Sequence, residues 1–304
     1  MSWIEVTDYQ GAEGSPSGRL SAERSREYCC QLEKGRILLF RHPPFQISQD
    51  NRDYLMNQRQ SGSRLHKNIS YRPASNELRG LKAPHEVEDR VLQILRAYSE
   101  QVAQFLGRFL TPYAGKFSMD YASFRPLEEA GRKLPLHKRN DLLHVDAFPS
   151  RPTHGGRILR VFTNLNPAGD RVWLTGHGFP ELARRYAHRA GLTEVARPGL
   201  NLRFGRLLRA VRIPVPERSP YDKFMLRFHD FLKEASEFQQ SGGSTRLDFP
   251  PLSTWLVFTD GVPHAVLSGQ YALEQTFIIP TQALVSPEDA PIRVLEQLCE
   301  KKLA

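Results

Sequence analysis

The stretch DLLHVDAF, residues 141–148, places a histidine and an aspartate one residue apart among apolar side chains. In a β-strand, successive side chains point to opposite faces, so His144 and Asp146 would point the same way. An imidazole and a carboxylate on one buried face are costly unless something pairs with them. The stretch therefore indicates a strand that carries a hydrogen-bond network, a catalytic pair or a metal site.

A third donor for a metal site is His264, which follows a Gly-Val-Pro bend and precedes an apolar segment. Two histidines and one carboxylate hold non-haem Fe(II) and leave positions open for other ligands. Catalytic zinc sites also keep an open position, so zinc is an alternative metal. The alternative without a metal is a histidine satisfied by its neighbouring carboxylate or by a strand carbonyl. We predict a metal site, with His154 as the nearest rival ligand and the other histidines at surface or structural positions.

The composition is that of a globular chain with surplus positive charge. Of the 304 residues, 40% are hydrophobic and 10% aromatic, which is enough for a core. Lys and Arg number 42 against 33 Asp and Glu, a net charge of +9, which favours an anionic partner: nucleic acid, a membrane surface or an acidic substrate. Cys29, Cys30 and Cys299 lack the spacing of a disulfide framework or a zinc site and favour a reducing compartment.

Membrane contact, if there is any, is expected to be peripheral. The first ten residues have neither a basic leader nor an apolar core, so we expect no signal peptide, and apolar runs such as TFIIP are too short to span a bilayer. Residues 200–214, LNLRFGRLLRAVRIP, carry an arginine at every third position from 203 to 212. This segment is either a basic amphipathic element that lies on anionic lipid or one that packs on the core.

The order of periodic segments predicts a single α+β domain over residues 1–304. Apolar residues at spacings of three and four predict a supporting helix over about 85–111, and a basic insertion over about 179–240 contains predicted helices at 179–191 and 220–238. Strands are predicted at 35–40, 117–126, 141–148, 156–167, 171–176, 253–266 and 271–280, with DGVP (260–263) as a turn or bulge between ladder segments. Residues 46–83 are interpreted as a long polar loop. A long helix followed mainly by strands favours a β-sandwich or barrel core.

Several longer stretches resemble the bacterial Kdo hydroxylases, which are Fe(II)/2-oxoglutarate-dependent dioxygenases. These stretches are DLLHVDAFPSRPTHGGRILRVFTNLNP, RVW and FTDGVPHAVLSGQYALEQTFIIP, with SYRPASNELRG and YASFRPLEEAGR further upstream. The resemblance implies a double-stranded β-helix (jelly-roll) core flanked by helices, with His144, Asp146 and His264 as the iron ligands. It implies hydroxylation of Kdo at carbon 3 in Kdo-lipid A with O2, which gives the sugar Ko. It also implies a cytoplasmic protein, peripheral on the inner face of the bacterial inner membrane.

The family's co-substrate, 2-oxoglutarate, needs a cation for its far carboxylate, and a bidentate arginine serves best. Many relatives place this cation on the strand after the distal histidine, but AVLSGQYALEQTFIIP contains no Lys or Arg. In GGRILRVFTN, Arg157 and Arg160 point to opposite faces because their spacing is odd. We choose Arg160, which shares a face with Phe162, and place Arg157 second. Thr163 and Gln275 are predicted to add hydrogen bonds to the co-substrate.

An anionic glycolipid substrate would need further cations near the iron. Arg125 and Arg151 are the preferred pair for a sugar carboxylate, with Arg72 and Arg139 as further candidates, although charged loops are usually only solvated. Two other functions stay open: the same oxygenase chemistry on a protein side chain or small metabolite, and a non-catalytic jelly-roll protein that binds an anionic glycan. Nucleic acid fits poorly, because no recognised binding module is present.

Overall fold

A computed structural model describes residues 3–9, 20–59, 68–197, 217–241 and 243–304. The helices are α1 (Ala22–Glu33), α2 (Gln49–Met56), α3 (His85–Phe109), α4 (Phe179–Tyr186), α5 (Leu192–Val195), α6 (Pro220–Glu234), α7 (Ser236–Gln239) and α8 (Pro291–Cys299). The strands are β1 (Trp3–Glu5), β2 (Ile37–Phe40), β3 (Ile69–Arg72), β4 (Glu77–Arg79), β5 (Ser118–Arg125), β6 (Arg157–Asn164), β7 (Arg171–Thr175), β8 (Thr245–Phe249), β9 (Thr254–Phe258), β10 (His264–Ser268) and β11 (Ala272–Ile279).

The strands form two sheets. The large sheet has the order β1-β2-β9-β6-β11-β5-β3-β4, and the small sheet has the order β10-β7-β8. All neighbours pair antiparallel except β1 and β2. Residues 140–146 continue the small sheet beyond β10 through hydrogen bonds between His144 and His264 and from the Val266 N–H to the Asn140 carbonyl.

The chain winds back and forth between the two sheets. From β5 onward it runs from the large sheet to residues 140–146 on the small one, returns to β6, forms β7 and β8 on the small sheet, and continues as β9, β10 and β11. The short turn between β9 and β10 carries the chain from the large sheet to the small one. This winding is that of a double-stranded β-helix, and the predicted fold class is confirmed.

Two apolar layers hold the sheets in place. The larger layer lies between the large sheet and the helices, where Tyr98 and Phe105 of α3 belong to the same buried cluster as Leu159 and Val161 of β6. The second layer lies between the sheets, and Phe162 of β6 packs there against Trp173 and Trp255. Because Val161 and Phe162 are neighbours, β6 alternates between these two layers.

The structure differs from the sequence-based expectation in several places, and strands β1 and β8 were not predicted. Residues 46–83 are not one irregular loop, because they contain α2, β3 and β4. Residues 141–148 are extended but form only an isolated bridge, rather than the regular strand predicted. The predicted helix 179–191 is shorter, since α4 ends at Tyr186, and the next helix, α5, begins at Leu192, outside the predicted range.

The basic segment with Arg203, Arg206, Arg209 and Arg212 lies outside the described residues, so the structure gives no description of it. Among the helices of the described ranges, none has both the length and the apolar character needed to cross a membrane.

Candidate active site

His144, Asp146 and His264 come together between the two sheets. One donor atom from each lies within 4.8 Å of the others, and all three side chains are largely buried. The Nε2 atoms of His144 and His264 each lie 3.9 Å from an Asp146 carboxylate oxygen. The two backbones are joined by a pair of hydrogen bonds between the N–H and C=O groups of residues 144 and 264. This pairing fixes the distance between two donors that are 120 residues apart in the chain.

Both histidines carry their ring proton on Nδ1, which leaves Nε2 free to bind a metal. The Nδ1 atom of His144 donates to the Leu142 carbonyl at 2.7 Å, and that of His264 donates to the Val262 carbonyl at 2.9 Å. Each Nε2 atom therefore carries a lone pair directed away from the backbone. Burial lowers the pKa of both imidazoles, so they remain neutral near pH 7.

The aspartate is held in its charged form. Burial alone would raise the pKa of Asp146, but the Arg160 guanidinium and the two histidines hold it well below its usual range. Its Oδ2 atom has no hydrogen-bond partner among the described residues, although Arg160 Nε lies 3.1 Å away without hydrogen-bond geometry. Two neutral imidazoles and one carboxylate with an unsatisfied buried oxygen fit a divalent metal such as Fe(II).

A cavity of about 200 Å³ opens beside these three residues. Trp173 forms one wall and stacks on the His264 ring with 5.1 Å between centroids. The other charged or aromatic residues that line the cavity are Arg125, His137, Phe148, Arg160, Phe162, Arg171, His229 and Lys233. The cavity therefore has strongly cationic walls.

Three of the cavity's arginines belong to a buried ion-pair cluster. Glu274 of β11 accepts from Arg125 Nε at 2.9 Å, and its other oxygen lies 2.8 Å from Arg160 Nη1. Glu129 lies 3.6 Å from Arg171 Nη2 and 3.9 Å from Arg125 Nη1. Burial would raise the pKa of both glutamates, but Arg125 and the other guanidinium groups lower it, so both are ionised. No periodic pattern in the sequence points to Glu129, which lies in a loop.

Helix α6 forms the remaining wall. It begins at a capping box in which Ser219 and Asp222 satisfy each other's backbone N–H groups, with Pro220 in the first turn. His229 and Lys233 follow one turn apart on the same face and both line the cavity. His229 packs edge-on against His144 with 4.9 Å between centroids, and its Nδ1 donates to the Val145 carbonyl at 2.8 Å. The sequence had suggested only a surface or structural role for His229.

The four candidates for co-substrate binding separate by strand face. Arg160 lies in the cavity, while Arg157 is buried outside it, where its Nε donates to Asp260 at 2.7 Å. Thr163 is buried beside Thr254, with 2.9 Å between their hydroxyl oxygens. The side chain of Gln275 donates to the backbone carbonyls of residues 120 and 276. Among the described residues, Arg157, Thr163 and Gln275 do not line the cavity. Arg157 and Thr163 have the opposite parity to Arg160 and Phe162 on β6, and Gln275 lies opposite Val161, on the face away from the cavity.

Three of the four substrate-binding candidates lie in or near the cavity. Arg125 belongs to its wall, whereas Arg151 and Arg72 lie further out. They continue a stack in which guanidinium groups alternate with aromatic rings, in the order Arg160, Phe148, Arg151, Tyr121, Arg72, with 3.9–5.6 Å between each guanidinium carbon and ring centroid. Arg139 instead pairs with Asp141 near the surface.

His154, the rival ligand, is also separate from the cluster. Its side chain is 59% exposed, and its Nδ1 lies 3.6 Å from Asp222. The structure thus brings His144, Asp146 and His264 together and leaves His154 outside.

The residues that the sequence did not identify are Arg171, Trp173, His229, Lys233, Glu129 and Glu274. A signal existed for one pair. Arg171 and Trp173 are two residues apart on β7 and therefore share a face, and Trp173 is apolar enough to indicate that this face is buried. Their Nε and Nε1 atoms are both buried and have no hydrogen-bond acceptor in the described part of the chain. Two such donors in one cavity fit a carboxylate ligand.

Comparison with known proteins extends the resemblance over nearly the whole chain. The family model described as 3-deoxy-D-manno-oct-2-ulosonic acid (Kdo) hydroxylase matches residues 17–302. A solved apo structure of the Kdo hydroxylase KdoO, a non-haem Fe(II) α-ketoglutarate-dependent dioxygenase, is 36% identical with a TM-score of 0.85, covering 100% of this chain and 97% of that one.

Two further structures show ligands that KdoO binds. KdoO in complex with α-ketoglutarate and Fe(III) is 34% identical with a TM-score of 0.83 and covers 100% of this chain and 98% of that one. KdoO in complex with cobalt(II) is 36% identical with a TM-score of 0.85, covering 100% and 97%. A search of curated proteins found no match.

Proposed function

The chain belongs to the Kdo hydroxylase family, and from this premise we propose that it hydroxylates carbon 3 of Kdo within Kdo-lipid A to form Ko. It is an Fe(II)- and 2-oxoglutarate-dependent dioxygenase that acts on Kdo. The observation that carries the proposal is the meeting of His144, Asp146 and His264 in a cationic cavity, within a chain similar to KdoO over its full length. The prefix 3-deoxy in the name of the sugar means that carbon 3 is a methylene group, which can gain a hydroxyl.

In this proposal, His144, Asp146 and His264 hold the iron. With Fe(II) bound there, O2 would be the oxidant and 2-oxoglutarate the co-reductant: one oxygen atom would enter the C–H bond to give C–OH, and the other would enter succinate as 2-oxoglutarate loses CO2. The protein keeps the two imidazoles neutral and the carboxylate charged before any ligand arrives. No ligand therefore has to lose a proton before the metal binds. The role of the surrounding residues is to orient the reactants.

We propose that Arg171 binds the far carboxylate of 2-oxoglutarate, with the Trp173 indole N–H as a second donor. Trp173 packs on His264. Arg171 lies on the same face of β7, two residues from Trp173, so the two residues are about 7 Å apart along the strand. This spacing suits a five-carbon dicarboxylic acid whose other end reaches the metal. Arg160, the choice made from the sequence, lies nearer the metal, beside Asp146 and Glu274, and is assigned to orienting Asp146 and the near end of the co-substrate.

The outer part of the substrate is assigned to the guanidinium–aromatic stack. Arg151 is about one-third exposed and donates to Asp120 at 2.9 Å, so it is held in place at the cavity's outer edge. Together with Arg72 it could receive phosphate or carboxylate groups of Kdo-lipid A. Arg151→Ala should raise the KM for the glycolipid more than the KM for 2-oxoglutarate.

A peripheral location on the inner face of the bacterial inner membrane is part of the proposal. The net charge of +9 and the basic segment 200–214 support attraction to an anionic surface. Binding to vesicles that contain anionic lipid, and its loss at high salt, would test this location.

The central test is reconstitution of the purified protein with Fe(II) under anaerobic conditions, followed by O2 and 2-oxoglutarate. Succinate release should increase when Kdo-lipid A is added, and mass spectrometry should show one added oxygen atom on its Kdo. Equal succinate release with and without Kdo-lipid A, and no oxidised sugar, would refute the proposed substrate.

A further inference from the structure

Lys233 is a buried cation whose role the metal site does not explain. It lies on the cavity-facing side of α6 and is 4% exposed. Its Nζ donates to the His137 carbonyl at 3.0 Å, and no carboxylate lies within 4 Å of it among the described residues. An ammonium group has three donors, so two remain available here. Leaving a buried charge without an opposite charge is costly, which makes Lys233 a candidate for a ligand contact.

The charges around the cavity show what kind of group would pair with Lys233. Four cationic side chains line the cavity, and three carboxylates pair with the arginines or complete the metal site. The cations are Arg125, Arg160, Arg171 and Lys233, and the carboxylates are Asp146, Glu129 and Glu274. The four lining cations therefore outnumber their carboxylate partners by one, and Arg132, which lies outside the lining and also pairs with Glu129, adds a further positive charge. A divalent metal and a dicarboxylate co-substrate cancel each other, so a positive surplus persists until a further anion binds.

The position of Lys233 matches the chemistry of the sugar. His229, one helical turn before Lys233, packs on the metal-site residue His144. Lys233 is therefore about one turn, roughly 6 Å, from a side chain that abuts the metal site. In 3-deoxy-oct-2-ulosonic acid, the carboxyl carbon C1 is two bonds from C3, a distance of about 2.5 Å. If C3 reacts beside the metal, the C1 carboxylate must lie in the same part of the cavity.

We infer that Lys233 binds the C1 carboxylate of the Kdo unit that is hydroxylated and so selects a sugar acid over a neutral sugar. This inference rests on the proposed function. Burial lowers the pKa of Lys233 to about 8, so the ammonium form still prevails at neutral pH. The bond to the His137 carbonyl holds the ammonium group in place before the substrate arrives. Lys233 is thus a specificity-determining residue rather than a metal or co-substrate ligand.

The test removes the charge from the protein and from the substrate in turn. Kdo-lipid A with one Kdo is compared with the same glycolipid whose C1 carboxylate has been converted to the primary amide. Both are assayed with the wild type, Lys233→Met, Lys233→Arg and the control Lys223→Met, which replaces the other lysine of α6 outside the cavity lining. Equilibrium binding of both glycolipids and of 2-oxoglutarate is measured without O2 on Co(II)-loaded protein.

The wild type should prefer the carboxylate over the amide by about 10- to 100-fold in kcat/KM, the range expected for one charged hydrogen-bonded pair. Lys233→Met should lose this preference, because its kcat/KM falls only for the carboxylate. Lys233→Arg should recover part of the preference, and Lys223→Met should match the wild type. Affinity for 2-oxoglutarate should stay within about twofold in every variant, and glycolipid binding should follow the same pattern as kcat/KM.

Two outcomes overturn the inference while the proposed function stands. One is a Lys233→Met enzyme that keeps the wild-type preference for the carboxylate, and the other is a wild type that hydroxylates acid and amide equally well. A Lys233→Met protein that loses 2-oxoglutarate affinity but still prefers the acid would place Lys233 in co-substrate binding instead. A wild type that does not hydroxylate Kdo-lipid A would refute the proposed function itself, and the inference with it.

Discussion

Replacing Arg171 with methionine should weaken 2-oxoglutarate binding by about 100-fold and leave metal affinity unchanged. The Arg171 side chain is 1% exposed, and its Nη1 donates to the Gly269 carbonyl at 3.1 Å, so the guanidinium is fixed in the cavity wall. A hydrogen bond to a charged group contributes about 1.5–3 kcal/mol. Loss of about 3 kcal/mol corresponds to roughly a 100-fold rise in Kd. Glu129 should tolerate the change, since Arg132 stays 3.2 Å from it and Arg125 3.9 Å.

The assay is calorimetric titration of Co(II)-loaded protein with 2-oxoglutarate in the absence of O2. Arg157→Met is the matched control, because Arg157 is equally buried, lies on β6, the strand that precedes β7 in the chain, and pairs with Asp260 outside the cavity. The control should bind 2-oxoglutarate within about twofold of wild type but lose about 3–5 kcal/mol of stability, because Asp260 is left as a buried unpaired acid. If Arg171→Met binds 2-oxoglutarate normally, or Arg157→Met weakens it 100-fold, the assignment is wrong.

Three further predictions concern the metal site, pH and a glycine. His144→Ala should abolish metal-dependent succinate formation and Co(II) binding, and full activity in this variant would contradict the three-residue site. Burial lowers the pKa of His144, His229 and His264, so these residues stay neutral when folded but take up protons near pH 6.5 when unfolded. The free energy of unfolding of the metal-free protein should therefore fall as pH drops below 6.5, by at most about 4 kcal/mol per pH unit. Urea titrations at pH 7.5, 6.5 and 5.5 check this, and equal midpoints would contradict it. Gly269 has φ of +119°, and an added Cβ would lie 2.9 Å from the Arg171 Cα. Gly269→Ala should raise the KM for 2-oxoglutarate and lower the Tm, whereas an unchanged KM would show that Arg171 tolerates the shift.

Periodic segments of the sequence predicted the fold well where the pattern was long. The apolar spacing over 85–111 gave a helix that the structure places at His85–Phe109, and alternation gave β5 and β6 within about three residues. Residues 46–83 misled because β3 and β4 are only four and three residues long and partly exposed. Such short strands depend on their partners, β3 on β5 and β4 on β3, and carry little pattern of their own. The isolated bridge at His144 shows the same dependence on a distant partner.

The candidate site was predictable only as far as local alternation reaches. Odd spacing correctly separated Arg157 from Arg160, and the same rule applied to Thr163 would have placed it on the Arg157 face. Gln275 shows why a second strand needs more information, since its face follows from the register that pairs it with Val161. No single-strand pattern contains that register. To predict that His229 and Lys233 reach the site, one would also need to know how α6 packs against the cavity.

The buried arginines and glutamates of the cavity raise the question of what they provide. A buried ion pair contributes little to stability compared with apolar packing of the same volume, so stability alone does not explain the cluster. The cluster instead holds its charged groups at fixed positions relative to the metal site. Glu274 contacts both Arg125 and Arg160, and Arg160 in turn lies against Asp146, so one carboxylate fixes two guanidinium groups relative to the metal site. Charges fixed in this way need not reorganise when a dicarboxylic acid enters. The cluster therefore serves ligand binding, although apolar side chains of the same volume would stabilise the fold at least as well.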